Sequence, residues 1–191
     1  MEKSKNYIKT ALTIGLKLLL ICAVVAGVVS FVYSVTIDAY NANINAEIAA
    51  SIETIFGALD GDVIESELYE GELDSDVIAI YTVKKNGENI GYCINLTGKG
   101  FGGSMNLMVG YHTDKSVCGV SVVSHAETPG VGDKATKGEH LAQYEGLSGE
   151  MTIAKNENAD VTAISGATIS SKAIHAAVER ANEVVASLPE A

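Results

Sequence analysis

The chain has 191 residues, enough for one domain with a core of its own and an appendage. Residues 1–37 carry four lysines against one glutamate, a net +3 within a chain total of −11, which leaves −14 on residues 38–191. So acidic a remainder, with no basic stripe, excludes a nucleic-acid binder acting through its general field.

The basic start precedes an apolar run. From Leu18 to Val35 there is no charge, and only Ser30, Tyr33 and Ser34 break the run as polar residues. With residues 11–17 in front, it reaches the roughly 20 residues needed to cross a bilayer. Lys17 falls near the inner boundary, where its ammonium can snorkel, and Tyr33 and Tyr40 fall at the outer interface. A cleaved signal peptide is the competing reading. The run is longer than a typical signal core, however, and Ser34–Asp38 lacks a small-x-small cleavage pattern. Lysines on one side and acid on the other place the N-terminus in the cytoplasm and the rest outside. The expected boundaries are a cytoplasmic start at 1–10, a transmembrane helix at 11–37, a linker helix with an acidic connection at 38–75, and the outer domain at 76–191.

Ile44, Ile48, Ile52, Ile55 and Leu59 recur at three- and four-residue steps, which predicts a helix over 38–59 that packs on the domain. Residues 60–76 are acidic, contain Gly61 and Gly71, and read as loop or short edge structure. The period then becomes strand-like. Residues 77–83 and 90–96 flank an Asn86-Gly87 hairpin signal, and 105–111 and 117–123 flank a second hairpin. A mixed helix-and-loop stretch runs to Glu150. Short strands follow near 151–154 and 161–164, and a final helix buries Ile174, Val178, Ala181 and Val185. The fold class is α+β: an N-terminal transmembrane helix followed by a small antiparallel-sheet domain with flanking helices.

Candidate chemistry is sparse. Gly98–Gly103 matches G-x-G-x-x-G, but a dinucleotide fingerprint must open a helix, and residues 105–111 alternate like a strand. The stretch reads as a glycine-rich connection where backbones or a ligand approach closely. Cys22, Cys93 and Cys118 have no metal spacing, nor do His112, His125, His140 and His175. Cys93 and Cys118 read as buried thiols, with a bond between them as the alternative.

Two compact motifs remain. In the first, Ser165 reads as the N-cap of the last helix, with Ile164 and Ile169 as a hydrophobic staple. Gly166 and Ala167 keep the first turn uncluttered, and Thr168 falls at the third helical position beside unpaired N–H groups. Those donors and the helix dipole favour an anion, which Lys172 faces from one turn on. The second motif is Glu127-Thr128-Pro129-Gly130-Val131-Gly132. Proline and glycines shape a polar-edged turn on which a planar ring can rest. Taken alone, each motif also fits a plain capped helix or a rigid turn.

Together the motifs closely resemble the FMN-binding domain of the Rnf and Na+-pumping NADH:quinone reductase complexes. The resemblance runs from Gly98 through Ile174, with the membrane anchor in addition. The short length and single anchor are most similar to the G subunit of the Rnf ion-translocating ferredoxin:NAD+ oxidoreductase, with the C subunit of the quinone reductase as runner-up. The resemblance implies FMN held through a phosphoester bond to Thr168, attached by a flavin transferase that uses FAD outside the cytoplasm. It implies an electron-relay subunit among other membrane and redox subunits, not an enzyme by itself. One position departs from the pattern: the Asp often found three residues before the serine is Thr162 here, and Asp160 lies two places earlier. A pilin-like surface structural protein and a serine hydrolase using Ser165 are the readings from other classes.

Overall fold

The computed structural model describes residues 2–57, 63–71, 73–155 and 159–188. The chain divides into two compact units, 1–46 and 47–191. Helix α1, Glu2–Ile55, begins in the first unit and ends in the second. In the first unit the side chains from Leu12 to Thr36 are exposed, so this stretch has no core of its own. The helix is long and apolar enough to cross a membrane.

The second unit is built on a five-stranded antiparallel meander: β1 Ile64–Leu68, β2 Val77–Lys85, β3 Glu88–Lys99, β4 Ser104–His112 and β5 Val117–His125, in that spatial order. The β2–β3 register pairs Lys85 with Glu88, leaving a two-residue loop. Asn86 and Gly87 occupy it at φ 54° and 85°, the type I′ geometry that suits the twist of the flanking strands. Within the acidic stretch expected as loop or short edge, β1 is the edge strand.

Alternation gives the sheet two dry faces. One face carries Ile94, Leu96, Leu107, Val109 and Tyr111, and α3 (Thr168–Ser187) packs on it through Ile174, Val178, Ala181 and Val185. The opposite face meets the end of α1, where Ile48, Ile52 and Ile55 are buried. There Gly110 and Gly119 leave room for Ile55, and Ser121 donates a hydrogen bond to Ser51 (3.2 Å). Of the periodic isoleucines and leucine that predict this helix, Leu59 lies outside the described residues.

Cys93 is buried and Cys118 half-buried, and they are not bonded to each other. Burial pushes the Cys93 thiol well above its usual range and that of Cys118 up to about 12, so neither is a thiolate at neutral pH.

After β5 come a 3₁₀ turn at Gly132–Thr136, the short α2 Gly138–Leu141, and a second 3₁₀ turn at Ala142–Tyr144. Strands β6 Ile153–Ala154 and β7 Val161–Thr162 form a small parallel pair, shorter than the alternation suggests. Helix α3 then runs the length of the sheet. At its end the carbonyls of Ala186 and of Leu188, the residue that follows the helix, accept from Lys115 Nζ in the β4–β5 turn (3.2 and 3.3 Å), a cation at a helix C-terminus.

The meander decides where the site lies. Strands β3 and β5 run the same way, so the β3–β4 turn (100–103) and the segment after His125 emerge at one end of the sheet. Pairing of Lys99 with Ser104 and of Met105 with His125 fixes this. Helix α3 starts at that same end, opposite the β4–β5 turn.

Candidate functional site

Both motifs form the same kind of turn. In Thr128–Val131 the Val131 N–H donates to the Thr128 carbonyl (3.1 Å), with Pro129 second and Gly130 third at φ 77°. In Ile164–Ala167 the Ala167 N–H donates to the Ile164 carbonyl (3.0 Å), with Gly166 third at φ 84°. A positive φ in third place defines a type II turn, which is why glycine stands there in each.

The second turn corrects the expected cap. Helix α3 begins at Thr168 with Ala167 as its N-cap, and no side chain among the described residues caps it. Ser165 is the second residue of the turn and is exposed, and the Ala167 N–H within its reach is already bonded to Ile164. The staple is absent as well. Ile169 is 57% exposed, whereas Ile164 is half-buried and donates its N–H to Ser171 Oγ (3.1 Å). Thr168 is therefore the first helical residue, not the third. The N–H groups of Thr168, Ile169 and Ser170 have no acceptor among the described residues.

The two turns border one cleft of about 410 Å³. Thr128, Val131 and Gly132 line it from one side, Gly166, Ala167 and Thr168 from the other, and Glu127 lies at its base. Ile169 and Val131, half or more exposed, supply apolar wall. A Cβ built on Gly166 meets nothing within 4 Å, so the backbone there is open to a ligand. The volume falls within the range of small-molecule sites.

Not every expected residue reaches the cleft. Pro129 and Gly130 are exposed and shape the turn without lining the space. Ser165 borders a neighbouring depression with His140 and Gln143. Lys172 is exposed and does not line the cleft; Lys155, from the connection after β6, does. Sequence reading misses Lys155 because it sits in a polar connection with no periodic signal. It places the Gly98–Gly103 connection at the same cleft but does not single out Phe101. That residue lines the cleft from the glycine-rich β3–β4 turn and is 72% exposed, and a large apolar residue amid four glycines is the available clue.

Glu127 is 6% exposed, and both carboxylate oxygens bond within the protein. Oε1 accepts from the Gly102 N–H (3.2 Å) and Oε2 from the Ser170 hydroxyl (2.8 Å). At the departing position, Thr162 is held in β7, its N–H donating to Gln143 Oε1 (2.8 Å). Asp160 is occupied elsewhere, accepting from the Thr152 N–H (2.8 Å) and hydroxyl (2.7 Å), and the hydroxyl bond holds its carboxyl below the ordinary range.

The site's chemistry is divided. Open N–H groups at a helix start, with a nearby lysine, suit a phosphate, while Val131, Ile169 and Phe101 suit a planar apolar ring. Thr168 contributes a hydroxyl at the junction, in a long contact with the Ile164 carbonyl (3.5 Å).

Residues 100–183 match the family described as FMN-binding domain. Over 205 residues the chain is 31% identical to the G subunit of the Na+-translocating ferredoxin:NAD+ oxidoreductase complex of Acetobacterium woodii, covering 98% of this chain and 97% of that one. It is 35% identical over 108 residues to the G subunit of the proton-translocating ferredoxin:NAD+ oxidoreductase complex of Clostridium ljungdahlii. That match covers 55% of this chain and 58% of the relative's length. Among solved structures, NqrC of Shewanella oneidensis is similar over 60% of this chain and 61% of its own, at 23% identity and a TM-score of 0.46.

Proposed function

Because this chain belongs to the G-subunit family of ion-translocating oxidoreductase complexes, we propose that it is the electron-relay subunit of such a ferredoxin:NAD+ oxidoreductase, carrying FMN as a phosphoester on Thr168. The observation that carries this reading is the meeting of two motifs some thirty residues apart in one cleft, with the Thr168 hydroxyl at the mouth of α3.

The residues fit the group. The N–H donors of Thr168, Ile169 and Ser170 and the dipole of α3 hold the phosphate, and Lys155 faces it as a counter-charge. Gly166 admits it, since no side chain occupies that approach. Val131 and Ile169 exclude water from the flavin ring, and Thr128 offers a polar edge. Bound FMN supplies electron acceptance and release, while the protein fixes its place and tunes it.

Attachment is an exchange at phosphorus. The Thr168 oxygen bonds to the flavin-side phosphorus of FAD, and AMP leaves with the other phosphate. A flavin transferase catalyses the step outside the cytoplasm. A covalent tether suits a cofactor that the surrounding medium does not replenish. The single span of α1 anchors the chain with its lysine-rich start in the cytoplasm and the cleft on the far side. Other membrane and redox subunits deliver and withdraw the electrons.

Intact mass spectrometry of the chain made beside an active flavin transferase tests this. The expected wild-type increment is one FMN less one water, and Thr168→Val is unmodified and colourless. An unmodified wild type, with the transferase active on a control acceptor, overturns the linkage.

A further inference from the structure

The glycine-rich β3–β4 turn brings Phe101 to the cleft, and the chain fixes that turn with care. Its Gly100 N–H donates to the Gly103 carbonyl (2.9 Å), closing the turn. A Cβ on Gly100 would strike Glu127 Oε1, and one on Gly102 the Ala126 carbonyl, so the turn lies flush against the segment after β5. A Cβ on Gly132 would strike the other oxygen, Oε2. The carboxylate is thus enclosed between two glycines, bonded to Gly102 on one side and to Ser170 in the first turn of α3 on the other. Three segments distant in sequence meet on one side chain. At the tip of the turn so held, Phe101 leaves 72% of its surface exposed beside the cleft.

We propose that Glu127 is a positioning residue, a latch that fixes the β3–β4 turn against α3 so that Phe101 serves as the aromatic cover of the cleft. Each Glu127 oxygen accepts one bond from within the protein, which ties the carboxylate to the turn on one side and to α3 on the other. Its effect passes through the turn. Phe101 keeps its apolar surface unburied until a planar ring lies against it, and the latch prevents the turn from collapsing onto the cleft or swinging away. The identity of that ring as flavin rests on the function proposed above; the latch does not.

The test has two arms, both on the full chain in detergent. The first is hydrogen exchange of residues 100–104 in a flavin-free Thr168→Val background. Adding Glu127→Ala is expected to speed exchange there by about tenfold or more, as for a lost bond to a charged acceptor, with β4 unaffected. Glu127→Gln, which retains a carbonyl oxygen for Gly102 and an amide for Ser170, is expected to restore protection. Should Glu127→Ala fail to fold, Ser170→Ala removes one arm of the latch and is expected to give a smaller acceleration in the same segment. Unchanged exchange in these variants overturns the latch. The second arm is iodide quenching of flavin fluorescence in the loaded chain. Phe101→Ala is expected to raise the quenching constant by about threefold or more, since it removes an aromatic cover, without changing exchange in the turn. An unchanged constant overturns the cover. A wild type that carries no flavin, covalent or bound, overturns the proposed function and the cover with it, while the exchange arm still decides the latch.

Discussion

Thr128–Val131 and Ile164–Ala167 border the same cleft with the same type II geometry, and differ in what they do with their donors. The first runs into a 3₁₀ turn. Its Thr128 carbonyl accepts from both Val131 and Asp133 (3.1 and 3.4 Å), and the Lys134 N–H returns to Val131 (3.4 Å). Its backbone is largely satisfied from within. The second opens a twenty-residue helix whose first-turn N–H groups have no acceptor among the described residues. Identical turns can therefore give a wall with satisfied donors in one place and a set of open donors in another. The deciding factor is the length of helix that follows and the dipole it brings.

The largest expected effect breaks the comparison at its threonines. Thr128 and Thr168 both line the cleft, one from each turn. Thr168→Val is expected to abolish the flavin mass increment, and Thr128→Val to leave it intact. Equal loss in both would place attachment outside α3's entrance.

The glycines sharpen the point. Gly130→Ala and Gly166→Ala each force a side chain into positive φ, with open space around it, so each is expected to cost about 1–2 kcal/mol by chemical denaturation. Only Gly166→Ala is expected to reduce flavin loading as well, because Gly166 lines the cleft and Gly130 does not. Matched losses of stability with matched loading would erase the distinction between the turns.

Ser170→Ala is next. It leaves a buried carboxylate oxygen of Glu127 without its donor and is expected to cost about 1–3 kcal/mol in the same measurement. Lys155→Ala has a smaller expected effect: slower flavin loading by a few fold at low salt, fading as salt screens an exposed charge. Persistence of the defect at high salt would mean that Lys155 acts by contact rather than by charge.

The smallest effect lies away from both turns. Arg180 of α3 bonds Asp76 just before β2 (2.9 Å), and this holds the Asp76 carboxyl below its ordinary value of 3.8. A lowered folded-state value means the contribution is present above pH 3.8 and lost as pH falls through the folded value. Wild type is expected to lose slightly more stability than Asp76→Asn in an acid titration below that pH. Because the pair is partly exposed, the difference is expected to be slight.

Much of the architecture was legible in the chain. Alternation located β2 to β5, Asn86-Gly87 fixed the first hairpin, and the 3–4 spacing of Ile174, Val178, Ala181 and Val185 gave α3 its buried face. Start and stop points were less legible. Ser165 has the chemistry of an N-cap, but Gly166 at positive φ turns the chain first, so the helix begins three residues later than that serine. Lys172 shares a helix with Thr168, and spacing alone does not say which cation borders the cleft; the connection after β6 supplied Lys155 instead.

By itself the sequence determined the elements, the charge asymmetry, the apolar span, and the two motifs whose pairing marks the family. Those properties are local, set by backbone preference, side-chain period and composition. Only the tertiary structure decided that Lys155 and the Phe101 side chain join Glu127 and Thr168 at one site, and that both Glu127 oxygens accept bonds from within the protein. The reason is geometric. Strand registers and the direction of α3 carry the ends of β3 and β5 and the helix start to one end of the sheet, and no local pattern in the chain encodes that meeting.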